Sequence, residues 1–135
     1  MLMRSKTAAS ELQESLFVHV THICHTRNLT MLRLDAEFAV FRASTTHFVC
    51  EPEEIVAFTA FRFDRHVPWQ IGTLLENQNS LLEDMSWHRD HELHLSCPIV
   101  ATDLSRDILN RTIGDMLAEI DRFGRRLRAN GMWES

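Results

Sequence analysis

The chain is poor in the residues that break structure or staple it. Its 135 residues include four glycines, three prolines and three cysteines. So few breakers predict short connections, and no linker, repeat or low-complexity tract interrupts the sequence. Cys24, Cys50 and Cys97 lie far apart, cannot all pair within one chain and form no C-x-x-C motif. That favours buried free thiols and a reducing compartment. The N-terminal MLMRSKTAAS lacks the apolar core of a signal peptide, and no run approaches the ~20 apolar residues that cross a bilayer. A soluble cytoplasmic protein without a membrane partner is the expectation. The second half contains no phosphate loop and no evident nucleophile–base pair, which points to a binding scaffold rather than a catalyst.

Lysine is almost missing too: Lys6 is the only one among 14 basic residues. This is a compositional bias and carries no function. The net charge is −5, whereas neutralising phosphates requires a basic surface, so nucleic acid is not the expected partner. The arginines at 122, 125, 126 and 128 suit the C-terminal end of a helix dipole better than a phosphate site.

What remains is ordinary globular material, 44% hydrophobic and 24% charged. A chain of this length buries roughly two-thirds of its unfolded surface, enough for one domain. Residues 10–130 are expected to form it, between tails at 1–9 and 131–135.

The pattern reads as helix, three or four strands, helix, two strands, helix. Ser10 is a plausible N-cap for a first helix with Leu12, Leu16, Val20 and Ile23 on one face. The bulky or β-branched Phe17, Val18, Val20, Thr21 and Ile23 suit a strand as well, so residues 10–27 stay open between the two. Residues 29–34, 38–43, 47–50 and 55–63 are β-rich, with turns at Asp35-Ala36-Glu37, Ser44-Thr45-Thr46 and Glu51-Pro52-Glu53. Such short turns imply antiparallel pairing. A helix led by Pro68 carries Ile71, Leu74, Leu75 and Leu82 at helical spacing, with Trp69 expected to anchor it to the sheet. LHLSCPIV (93–100) alternates like a strand. A closing helix from about Asp103–Ser105 carries Leu109, Ile113, Met116, Leu117, Ile120, Phe123 and Leu127 on one stripe and stops at Asn130-Gly131. Gly114 lies inside it, where close approach of another backbone would offset the ~1 kcal/mol cost of glycine. Together these elements predict an α+β domain: helices packed on an antiparallel sheet, in the order α-β-β-β(-β)-α-β-β-α.

The stretch from Thr59 to Leu127, about half the chain, resembles the YbjN-type bacterial domain and, more distantly, the type III secretion chaperones that share its fold. The matching pieces are AFRFDRHVP, LLENQNSLL with Asn77 and Asn79, ELHLSCPIVATDLS and ILNRTIGDMLAEIDRF. The resemblance implies a secretion-chaperone-like fold and a non-enzymatic role: a cytoplasmic homodimer that holds or regulates a partner protein or peptide segment, without a cofactor.

The strand Ile55–Phe63 bears on how such a partner is held. Ile55, Ala57, Phe61 and Phe63 point one way; Val56, Phe58 and Ala60 the other. Either it is a central strand covered on both sides, or its second face is kept for a partner. On the second reading, Phe41, Val56 and Phe58 are the partner-binding candidates. Asn77 and Asn79 read as a helix end, where asparagine tolerates the left-handed conformation.

The histidines carry the alternative, a His-rich metal-binding protein or a metal-dependent hydrolase. His19, His22 and His25 form H-x-x-H-x-x-H around Cys24, and His88, His91 and His94 repeat the spacing. Three residues at this spacing do not converge on one helix face, and on a strand neighbours three apart face opposite ways. A metal site therefore needs the two triplets to meet in space.

Overall fold

Apolar residues three and four apart build the three helices. In the computed structural model, which describes residues 8–34, 38–61, 68–90, 92–99 and 105–132, these are α1 (Ala8–Arg27), α2 (Pro68–Asn79) and α3 (Arg106–Ala129). The ambiguous segment 10–27 is thus helical. Val20, Ile23 and Cys24 of α1 are buried, and Ser10 lies inside the helix rather than at its cap. The expected tails lie largely outside the described residues, as do Trp133 and Phe63.

Among the described residues six strands form one sheet: β1 (Thr30–Leu34), β2 (Ala39–Ala43), β3 (Thr46–Cys50), β4 (Glu54–Phe58), β5 (Ser86–Arg89) and β6 (Leu93–Pro98). Their spatial order is β1-β2-β3-β4-β6-β5, and every neighbouring pair is antiparallel. The observed order α-β-β-β-β-α-β-β-α is the α+β plan expected. No described helix is long and apolar enough to cross a membrane.

Local signals end the elements. Ser105 caps α3 by accepting the Ile108 N–H at 3.1 Å. At the other end Gly131 (φ +67°) turns the chain, and the Met132 and Gly131 amides donate to the Leu127 and Arg128 carbonyls. This is the paired hydrogen-bond closure of a Schellman motif, with buried Met132 as its apolar seal. Asn28 (φ 58°) closes α1 the same way, with Leu29 and Asn28 donating to Cys24 and His25. The left-handed asparagine is therefore Asn28, not Asn77 or Asn79. Between β2 and β3 the turn is two residues, Ser44-Thr45, with Ser44 at φ 56°.

The helices lie on one face of the sheet. Phe41, Phe48, Ile55, Leu93, Leu95 and Trp87 meet Ile71 of α2 and Leu109, Ile113, Met116 and Phe123 of α3 in one core. Trp87 is its aromatic centre, 4.8 Å from the Phe123 ring and 6.2 Å from Phe61. Trp69 is 68% exposed and anchors nothing, a correction to the expected role of that tryptophan. The group that approaches Gly114 is the Arg27 guanidinium rather than a backbone, since a Cβ there would lie 2.7 Å from it. Arg27 also donates to the Asn110 side-chain oxygen at 2.6 Å and to its carbonyl at 3.2 Å, joining α1 to α3.

Among the described residues one carboxylate is buried in this core. Glu119 is 1% exposed. It accepts from Gln78 Nε2 at 2.9 Å, from Trp87 Nε1 at 2.7 Å and from Arg122 at 2.8 Å. Gln78 Oε1 in turn accepts from Arg126 at 2.9 Å. Next to it, Asn79 accepts the Trp87 N–H at 2.6 Å and donates to the Trp87 carbonyl at 3.0 Å. Glu119→Ala leaves the Trp87 and Gln78 donors buried without an acceptor, each at about 1–3 kcal/mol. The expected loss of unfolding free energy is about 3 kcal/mol by urea denaturation, and a loss under about 1 kcal/mol contradicts this account of the joint.

Candidate functional site: the open face of the sheet

Strand side chains alternate, so packing all three helices on one face leaves the other to be built by the remaining residues. Two rows cross it, fixed by register. One is Arg42, His47, Phe58, His94 and His88 on β2, β3, β4, β6 and β5. The next is Val40, Val49, Val56, Ser96 and Ser86. At the far end of the strands, Phe38, Glu51 and Glu54 continue the same alternation. Arg33 lies 5.0 Å above the Phe38 ring. Val40, Val49, Val56 and Phe58 are half-buried, and among the described residues no element covers them.

The first row is a line of rings. Phe58 stands 5.5 Å from His94, and His94 5.4 Å from His88. A shallow depression of about 640 Å³ opens over Phe58 between His47 and His94, with Asp90 and Glu92 on its rim.

Val56 and Phe58 are thus where the alternation placed them, on the face away from the helices. Phe41 is not. It is fully buried on the helix side, stacked 5.0 Å from Phe48. The cause is turn length. A three-residue turn at 44–46 pairs Phe41 with Val49, whereas the observed two-residue turn pairs it with Phe48, and a slip of one residue exchanges the faces. The strand at 55–63 is also shorter than expected, ending at Phe58. Beyond it Thr59 bonds the Leu93 carbonyl through both its N–H (3.1 Å) and its hydroxyl (2.8 Å).

The histidine triplets do not come together among the described residues. His19, His22 and His25 lie on α1, which packs on β1, β2 and α3. His88 and His94 lie on β5 and β6, at the opposite end of the sheet. His91 is outside the described residues. No group of three His, Cys, Asp or Glu among the described residues is placed to hold a metal. The second triplet is a hairpin rather than a helix or a single strand, which makes His88 and His94 cross-strand partners.

Folding creates one Ser–His contact that spacing alone did not expose: Ser86 Oγ lies 2.8 Å from His88 Nε2. Among the described residues no carboxylate orients that imidazole, and His88 is exposed. Such a pair lacks the third member that holds a catalytic base in place.

The thiols are no better suited to nucleophilic work, since the reactive species is the thiolate. Burial pushes the Cys50 thiol up to about 12, with Cys24 and Glu51 adding to the effect. Burial alone pushes Cys24 up to about 11. Cys97 is raised by burial first and by Asp84 and Asp115 after it. Comparison with protein-family models, with curated proteins and with solved structures finds no match to this chain.

The thiol environment sets an alkaline limit on stability. The folded state keeps protons that the unfolded chain releases near pH 9, so this stabilisation is complete below that pH and is lost as pH rises towards 11–12. The urea midpoint is therefore expected to be flat from pH 7 to 8 and to fall above about pH 9. A midpoint that rises across that window contradicts the assignment.

Proposed function

We propose that the protein is a non-catalytic protein-binding module of the kind the YbjN and secretion-chaperone resemblance implies, working in a reducing, cytoplasmic setting without a cofactor. The observation that carries this reading is the open sheet face, where Val40, Val49, Val56 and Phe58 stand half-buried with no covering element among the described residues. An antiparallel sheet that meets only water usually turns polar residues outward. Valines and a phenylalanine in adjoining cross-strand rows suit a surface that another protein covers.

The edges favour the face over strand addition. On β5, the Asn79 amide bonds both the N–H and the carbonyl of Trp87, the groups an added strand would need. On β1, the register shifts between Met31 and Arg33. Bulged or occupied edges discourage edge-to-edge pairing. Val56 and Phe58 are accordingly the contact residues of this reading.

Phe58→Asp and Val56→Asp each put a charge in the middle of the face. The immobilised variants are expected to retain less than about a tenth of the partner captured by the wild type from lysate, a loss of at least ~1.4 kcal/mol in binding. Because both positions are half-exposed, unfolding free energy is expected to fall by no more than about 1 kcal/mol. Equal capture by wild type and Val56→Asp overturns the reading. Unfolding of both variants means the face is core and overturns it too.

A further inference from the structure

A second depression lies on the helix side of the sheet, away from the open face. It is a cleft of about 430 Å³ between the 83–85 loop, the end of β6 and the flank of α3. Ile108, Arg111, Thr112 and Asp115 form the α3 wall. Their spacing of i, i+3, i+4 and i+7 makes them one stripe, beside the stripe that the same helix buries. Met85, Cys97 and Ile99 give the cleft an apolar floor. Ile108 is 37% exposed at its mouth.

The charges of this cleft do not balance. Glu83 and Asp84 on the loop and Asp115 on α3 line it, and they also line its smaller continuation of about 220 Å³ beside Leu81 and Leu82. The three carboxylates therefore stand together where the two spaces join. The Cys97 thiol below them is raised by burial first, and then by Asp84 and Asp115. Against these carboxylates the cleft sets one guanidinium, Arg111. The continuation holds Arg122, which is committed to Glu119 at 2.8 Å. Further along α3, Asp121 holds Arg125 at 2.8 Å. Among the described residues Glu83, Asp84 and Asp115 have no such partner.

We propose that this cleft binds a small organic cation, a primary amine with an apolar body, its ammonium held by Asp84 and Asp115 and its body laid on Met85, Cys97 and Ile99. The site is separate from the open sheet face, and the inference does not rest on the docking reading above. The volume is that of a small-molecule site, roughly 300–1,000 Å³, and such sites are mostly apolar with a few placed polar groups. An apolar floor lowers the dielectric around the carboxylates and strengthens their hold on a cation.

Orientation and selectivity follow from the same groups. The Ile108 end of the cleft lies at the first turn of α3, where the helix dipole is positive and disfavours a cation. The ammonium is accordingly set at the Asp115 end and the apolar body towards Ile108. A primary ammonium brings three N–H donors to three carboxylates. A quaternary ammonium has the charge without the donors, and a carboxylate ligand meets three charges of its own sign.

The test is an NMR titration of the full chain, followed through its backbone amides, with hexylammonium, hexyltrimethylammonium, hexanol and hexanoate as probes. Hexylammonium is expected to shift residues 83–85, 97–99 and 108–115 and to bind about tenfold more tightly than the other three. Its affinity is expected to fall as salt screens the carboxylates. Asp84→Asn and Asp115→Asn, both at exposed positions, are each expected to weaken hexylammonium about fivefold and to leave hexanol unchanged. Equal affinity for hexylammonium and hexanoate overturns the inference. Equal affinity for hexylammonium and hexanol does so too, since the cleft then selects for apolar bulk alone. Shifts that fall on other residues, affinity that survives both substitutions, or no saturation by any probe in the millimolar range also overturn it.

Discussion

The fold turns on one buried carboxylate. Glu119 sits on α3 inside the core, and its oxygens hold α2 through Gln78 and β5 through Trp87. A charge in that position is tolerable only when its lone pairs are filled by donors of fixed geometry. The indole N–H and the Gln78 amide are such donors, and each is itself held. Trp87 is packed against Phe123, and Gln78 accepts from Arg126. Satisfying Glu119 thus fixes how α2 and β5 meet α3. No apolar contact in the core has comparable directional demands, because apolar packing tolerates small slips that a hydrogen bond of 2.7 Å does not.

That constraint shapes the surface as well. With Trp87 drawn inward, the backbone of β5 faces α2, where Asn79 occupies its outer N–H and carbonyl. The sheet is closed at that edge by a side-chain amide. At the other edge β1 is bulged. All three helices share the remaining face, so the one broad surface the described elements leave uncovered is the valine-bearing side of the sheet. Its rings and charges lie in rows because antiparallel register aligns them. The Ser86–His88 contact lacks an orienting acid among the described residues, and burial keeps the three thiols protonated.

Much of this was legible in the chain. The stripe Leu109–Leu127, Ser105 before it and Asn130-Gly131 after it mark α3 to within a residue or two, since periodicity and caps are local. Pro68 marks the start of α2 for the same reason. Val56 and Phe58 follow from alternation within one strand. Phe41 does not, because relating it to them requires the length of the turn at 44–45, and a single residue reverses the answer. Asn79 looks like a helix end from its position; only the nearness of β5 turns it into a clamp on Trp87. Trp69 and Trp87 are indistinguishable by type, yet one is exposed and the other is the centre of the core.

Apart from residues 10–27, which it left open between helix and strand, the sequence by itself determined the main elements, their order and their antiparallel class, because helical periodicity, alternation, caps and short turns act within a few residues. Tertiary structure decided which strand face meets the helices, that His88 and His94 pair across a hairpin while the α1 histidines stay at the other end of the sheet, and that Glu119 finds its donors. Strands apolar on both sides carry no local mark of inside and outside. That choice is made when register and helix packing bring residues dozens of positions apart into contact, as Gln78 and Glu119 are.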